Sequence, residues 1–409
     1  MKNTTKLFSI AAIAAVALVS CGKDNGGDDG LSASELSLKA AVEEYVPGVI
    51  YSTYGSLADA SSNLYTQLLA LKEAGTASLT DAQIENVCKT FLDARAYWEK
   101  SEAFLFGAAT VYGIDPHIDS WPLDKDKLAK ELSNTVVIAD LDAEGAAACD
   151  EVGKANLGFH GIEFILFRNG SPRKAADFHA NETDAAFSSY SVSGETELIF
   201  ATAVAEDLRN YCWELQASWD PSCPSDRREY VEDELELNTV MTSGLTFGEN
   251  LLAAGEAGST YTTWQRAVSD ILTAGCSEIC AEVANSKIAS AYYHKTEEDA
   301  DYIESPYSKK SYQDFYDNIQ SIVYSLYGRA SATSPSSNSI YNVLQKHGYS
   351  GLSNLKSALD AAVASLQACL DSGKAFVDDP SAECAGDAID AINDLDDELN
   401  KAADWVSLL

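Results

Sequence analysis

Histidine, methionine and basic side chains are scarce in this chain. Five histidines, two methionines and 28 lysines and arginines stand among 409 residues, against 63 aspartates and glutamates. The formal net charge of −35 excludes the basic stripe that a nucleic-acid surface requires, so no nucleic-acid partner is expected. The same charge favours solubility and leaves cation binding open. No CxxC pair occurs among the nine cysteines, which argues against a thiolate metal cluster. Strand-like alternation is scarce, and past residue 20 no apolar run is long enough to span a bilayer. With 46% hydrophobic and 22% charged residues, the composition is that of a globular protein with an ample core.

The N-terminus reads as a targeting segment. Lys2 and Lys6 form a positive start, Leu7 to Val19 is a short apolar stretch, and Leu18-Val19-Ser20-Cys21-Gly22 follows. This order resembles a bacterial lipoprotein signal, in which cleavage precedes the cysteine and lipid is attached to it. The reading makes residues 1–20 a signal peptide, Cys21 the lipid-bearing N-terminus and residues 21–35 a flexible tether, Gly/Asp-rich from Lys23 to Gly30. It implies an exported protein anchored to the outer membrane, on its periplasmic face or at the cell surface. Loss of residues 1–20 removes two lysines and no acids, which takes the charge to about −37. Eight cysteines remain after Cys21, and an exported chain can oxidise them. Cys212/Cys223 and Cys369/Cys384 are the plausible local pairs. Cys276 and Cys280 share a helical face at a spacing awkward for a bridge.

From residue 42 the apolar residues recur at close to 3.6, interrupted only by Pro47-Gly48. Thr80-Asp-Ala-Gln83 is a capping box before a second helix that runs toward Gly107. Further helices are predicted over 124–134, 155–167, 195–219, 229–253, 263–291, 311–328, 352–372 and 382–405. The turn-rich stretch 169–194 reads as a long loop or short hairpin and as the domain boundary. The fold class is all-α: two helical bundles of the four-helix type, over 36–190 and 191–409.

Two constellations carry chemistry. Gly158-Phe-His160-Gly-Ile-Glu163 places His160 and Glu163 on one helical face inside an apolar run. A buried imidazole beside a buried carboxylate suits a metal site or a shared proton, and equally a hydrogen-bonded core pair. Gly158 and Gly161 weaken the helix and point to a close approach of backbone or ligand. Arg95, Glu99 and Glu102 follow at i, i+4 and i+7, with Trp98 beside them, as a buried network or as an ordinary surface pair.

Together these residues resemble the imelysin-like family, also classed as M75 peptidases. Gly158-x-His160-x-x-Glu163 matches its GxHxxE motif. Arg95-x-x-Trp98-Glu99-x-x-Glu102-Ala-Phe, Ile118-Asp119-Ser120-Trp121-Pro122-Leu123-Asp124 and Glu304-Ser305-Pro306-Tyr307-Ser308 with Asp314-Phe315 match its other landmarks in order. The resemblance implies paired bundles with the motif near their interface, and a link to iron or haem acquisition. His160, Glu163 and Glu102 are the expected metal ligands, with Arg95 as a neutralising neighbour. Trp98, Glu99, Gly158, Asp119, Trp121, Ser305 and Tyr307 are supporting residues. Iron is the favoured metal and zinc the alternative; haem stays possible as a ligand, and an outer-membrane uptake partner is possible.

The family's peptidase label would give His160 and Glu163 the catalytic roles. A zincin, however, carries HExxH, and here Gly161 follows His160 and Phe164 stands at the second histidine's place. Three readings follow: a cation or iron-ligand binder, a metallopeptidase, and an anchored scaffold without catalysis.

Overall fold

The computed structural model describes residues 30–296, 298 and 301–409. The signal, Cys21 and the tether up to residue 29 lie outside these residues. The chain is all-α, with one two-stranded hairpin, Phe167–Arg168 against Ser171–Pro172, among the described residues. None of the described helices is long and apolar enough to cross a membrane.

The long helices are α1 (Ala33–Tyr45), α2 (Ser52–Ala74), α3 (Asp81–Glu99), α4 (Gly158–Leu166) and α5 (Gly194–Trp219). Next come α6, a run over 264–293 loosened by two π-helical stretches, then α7 (Ser311–Tyr327), α8 (Leu352–Asp371) and α9 (Glu383–Ser407). Local chemistry sets most ends. Ser32 and Glu35 form a capping box that starts α1 at Ala33, so the expected tether stops short of 35. Thr80 and Gln83 do the same for α3. Gly328, at φ 83°, closes α7 in the left-handed conformation.

Two expected helices are shorter than their pattern. α3 stops at Glu99 instead of running toward Gly107. The Ser101 hydroxyl turns back to the carbonyl of Trp98 at 2.6 Å, and the Ala103 N–H is taken by Ser321 at 3.0 Å. Glu102 therefore sits on a 3-10 turn (Glu102–Phe104) and not on the helical stripe of Arg95 and Glu99. The 229–253 helix is interrupted as well: helical turns cover 225–234 and Phe247–Leu252. Between them the chain leaves the helix where Glu236 takes φ 53°, followed by a turn at Gly244 with φ 84°.

The helices form two groups. α2, α3, α4 and α5 make one, with α5 lying along α2 and α4. α6, α7, α8 and α9 make the other, and α1 joins it by packing on Trp264–Asp270 and on the short helix Ile340–Lys346. The packing thus keeps α5 with the first group and α1 with the second. A cut at 190–191 would separate α5 from the helices it covers. The groups meet where α3 and the turn after it lie against α6 and α7.

The glycines of α4 are required by close backbone contact. Gly158 has φ 62°, and a Cβ there would stand 1.9 Å from the Ile118 carbonyl oxygen. A Cβ at Gly161 would stand 2.1 Å from that of Asn156. Gly158→Ala is expected to cost about 3 kcal/mol or more in urea unfolding, because the backbone of 118 or 158 has to move. Gly113→Ala, with φ 68° but open space, should cost only about 1–2 kcal/mol.

Candidate metal centre

The seam between the two groups holds a buried charge network built around Arg95. This guanidinium is 2% exposed and meets four carboxylates. It lies 2.5 Å from Glu99 Oε1, 2.5 Å from Glu304 Oε1 and 3.6 Å from Asp314 Oδ2, and it donates to Asp119 as well. The α3 helix brings Arg95, Trp98 and Glu99 to the seam on one face. Asp119 follows the short helix Asp115–Ile118, which α4 holds through the contact at Gly158. Asp119 also accepts from Trp98 Nε1 at 2.6 Å. Burial works against its ionisation, but Arg95 and His160 overcome this and hold the carboxyl far below the usual range.

The motif pair sits beside this hub. His160 Nε2 is 3.0 Å from Asp119 Oδ1, although the N–H does not point along that line and Nε2 has no well-formed hydrogen bond. His160 Nδ1 is 3.7 Å from Glu163 Oε2. Burial opposes the imidazolium, yet Asp119 and Glu163 together raise the His160 pKa to about 9. Glu163 is fixed from its other oxygen, which accepts from the N–H and hydroxyl of Ser308 at 2.7 and 2.6 Å.

Lys287 is the second internal cation. It rises from the second loosened stretch of α6 and is 1% exposed. Its ammonium stands 3.3 Å from Glu304, 3.8 Å from Glu102 and 3.9 Å from Glu99. Burial pushes Glu99 and Glu102 well above the usual carboxylate range, with Arg95 and Lys287 respectively pulling back. Asp314 is pushed up to about 8 and Asp115 to about 7, burial being the largest cause for both. Asn318 donates to Glu99 Oε2 at 2.5 Å, and Ser305 donates to Asp314.

Two triads have the reach of a cation site, each with one ligand atom per residue and all three within 4.8 Å: Asp119–His160–Glu304 and Glu99–Glu102–Asp119. The first combines one imidazole with two carboxylates, a donor set suited to iron or manganese and acceptable to zinc. His160 Nε2, Glu163 Oε2 and Glu304 Oε2 are buried without hydrogen-bond partners, so the residues fit an added cation. The second triad already faces the Lys287 ammonium. A pocket of about 430 Å³ opens beside it, lined by Glu102, Asp115, Glu278 and Glu282 among others.

Of the ligands expected from the sequence, His160 and Glu163 are adjacent, while Glu102 belongs to the second triad and is linked to His160 through Asp119. Arg95, Trp98, Glu99 and Asp119 all enter the network. Gly158 supports it by contact. Trp121 packs at a tilt against Tyr302 with ring centres 4.0 Å apart, and Tyr307 packs edge-on against Phe164 at 5.1 Å. Glu304 and Asp314 were visible in the matched segments but had no role assigned. Lys287, Asp115, Glu282, Asn318 and Ser308 were not found from the sequence. The single clue to Lys287 was a lone cation inside an apolar helical run.

Residues 50–401 match the family model described as Imelysin, peptidase class M75. A curated relative, Iron-regulated protein A of Synechococcus elongatus, is 25% identical over 277 residues, which is 68% of this chain and 61% of that protein. The chain thus spans less than two thirds of that relative's length. Two solved structures share the fold. One, described as an iron-regulated protein A precursor from Parabacteroides distasonis, gives a TM-score of 0.72 at 22% identity, over 93% of this chain and 97% of its own. The other, an imelysin-like protein from Psychrobacter arcticum, gives 0.60 at 10% identity, over 93% and 99%. With the family model matched over most of its length, the chain belongs to the imelysin family.

Proposed function

We propose that this protein is an exported, lipid-anchored receptor that takes up a hard cation, iron foremost, at the seam between its helical groups. The observation that carries the reading is the charge balance of the network. Among the described residues, Glu99, Glu102, Asp119, Glu163, Glu304 and Asp314 face only Arg95, Lys287 and an ionised His160 as internal cations. Buried carboxylates in such excess need protons or a further cation. Asp119, His160 and Glu304 would hold the metal, which would supply the missing positive charge, and Glu163 would orient the imidazole from Nδ1. The name of the Synechococcus relative ties that protein to iron regulation and supports iron over other hard cations.

Two comparisons favour ion over haem and binding over proteolysis. The neighbouring pocket is acidic, and no histidine, cysteine, methionine or tyrosine lines it, so it opposes haem propionates and offers no common axial ligand. The triad is almost closed to solvent: Asp119 is 9%, His160 2% and Glu304 0% exposed. A scissile peptide bond has no approach to it in this conformation. Anchoring through Cys21, outer-membrane location and an uptake partner belong to the same proposal and rest on the lipoprotein-like N-terminus. Membrane release of a Cys21→Ala chain tests the anchor.

The central test is calorimetric titration of metal-free protein with Fe²⁺, Fe³⁺, Zn²⁺, Ca²⁺ and haem. One equivalent of iron is expected to bind, weakened about 100-fold or more in His160→Ala and about 10–100-fold in Glu163→Gln. Equal, weak binding of every ligand by wild type and variants overturns the receptor reading, and chelator-sensitive turnover of an unfolded protein substrate replaces it with the peptidase.

The His160 proton gives a stability prediction. Its folded-state pKa is raised from 6.5 to about 9, so the imidazolium stabilises the fold fully below pH 6.5 and loses that contribution as pH rises through 9. Metal-free wild type is expected to melt a few degrees lower at pH 9 than at pH 6.5, and His160→Gln should lack that part of the slope. Lys287→Met removes the resident cation from Glu99, Glu102 and Glu304. It should destabilise metal-free protein by about 3–5 kcal/mol, and millimolar Mn²⁺ should raise its melting temperature more than that of wild type.

A further inference from the structure

Cys369 and Cys384 stand apart from the seam and from the other thiols. Cys369 lies in the last turn of α8 and is fully buried; Cys384 lies in the first turn of α9 and is partly buried. The two helices are neighbours, joined by the short connection 372–382. Their side chains lie close enough to interact, each also with Tyr312 between the two helix ends. Both reach the Tyr312 hydroxyl, with Cys384 Sγ 3.8 Å from it.

The geometry points to Cys369 and Cys384 as a dithiol that a disulfide-bearing oxidant converts to an intramolecular disulfide, fastening α8 to α9. The step balances as thiol–disulfide exchange. Cys384, the accessible partner, attacks one sulfur of the oxidant as its thiolate and releases the oxidant's first thiol. Cys369 then attacks Cys384 Sγ in the mixed disulfide, forms the S–S bond and releases the second thiol. Two protein thiols are oxidised, one external disulfide is reduced, and the two protein protons pass to solvent or to the departing thiolates.

The other cysteines lack one of these conditions. Cys276 and Cys280 are neighbours, but both are fully buried on one helix. Cys88 donates to the Leu166 carbonyl at 3.5 Å, Cys223 accepts from Arg228 at 3.5 Å, and Cys212 contacts Ser61. Among the described residues only the 369/384 pair combines mutual proximity with a partly exposed cysteine.

The bridge would secure the connection it closes. Phe376 packs against Tyr312 and Phe315 with ring centres 5.3 and 5.4 Å apart, and Asp378 is paired with Lys309 at 2.7 Å. Lys309 follows the segment of Glu304, Ser305 and Ser308, and Tyr312 precedes Asp314 by two residues. The crosslink would therefore brace the segment that supplies the second group's share of the charge network, without touching the network itself.

The test uses the full chain, reduced and then equilibrated in glutathione buffers of increasing oxidised fraction. Acid quenching, alkylation and peptide mapping read each cysteine. Expected is one crosslinked peptide pair joining Cys369 to Cys384, with Cys88, Cys149, Cys212, Cys223, Cys276 and Cys280 fully alkylated after unfolding. Closing a loop of about 15 residues should raise the melting temperature by about 3–6 °C over the reduced form. Cys384→Ser should abolish that difference while matching the melting temperature of reduced wild type. Cys369 and Cys384 both alkylated in oxidised buffer, a bridge between other cysteines, or glutathione retained on Cys384 without closure would each overturn the proposal.

Discussion

Arg95 is the contact on which the seam depends. One buried guanidinium meets carboxylates from its own helix, from the segment after Ile118, from the 304–308 turn and from α7. Only arginine offers donors in a planar fork that can serve several carboxylates at once and stay charged in a dry site. Its face also lies over the Phe159 ring, 5.2 Å from the centroid, which ties the motif helix to the same group. A lysine there would present a point charge and leave some of these acids unpaired.

The network is nevertheless unbalanced, and its imbalance connects architecture to chemistry. A purely structural cluster would be expected to match its charges, because each unpaired buried ion carries a large desolvation penalty. Here protons on several acids, a protonated histidine and an internal lysine share the task of neutralisation. In such an arrangement a cation bound as proposed would have to displace protons, so its binding would depend on pH.

Much of the fold was legible because helix signals are local. The Thr80 cap and the apolar period of α2 act within a turn of where they are read, whereas the Ser32 cap, inside the expected tether, was missed. The motif pair was legible because His160 and Glu163 stand in a run too apolar to lie on a surface. What could not be read came from distant partners. Ser321 captures the Ala103 N–H and ends the path of α3, which moves Glu102 off the Arg95 stripe. Lys287 becomes a site residue only because α6 meets the turn after α3 there. The place of α5 depends on its fit along α2, which a loop-based boundary does not register.

The position of α1 affects how the chain reaches its native state. α1 packs among helices whose sequence begins more than two hundred residues later, and the Ser34 hydroxyl donates to the Leu409 carbonyl at 3.1 Å. α1 therefore finds its native packing surface only after the segments Phe247–Leu252, Trp264–Asp270 and Ile340–Lys346 have emerged. Loop-closure entropy sets a high threshold for that docking, and the exposed apolar face of α1 must be kept from other partners in the meantime. The same bond ties the first described helix to Leu409, so this edge of the fold is held by partners far apart in sequence and closes late.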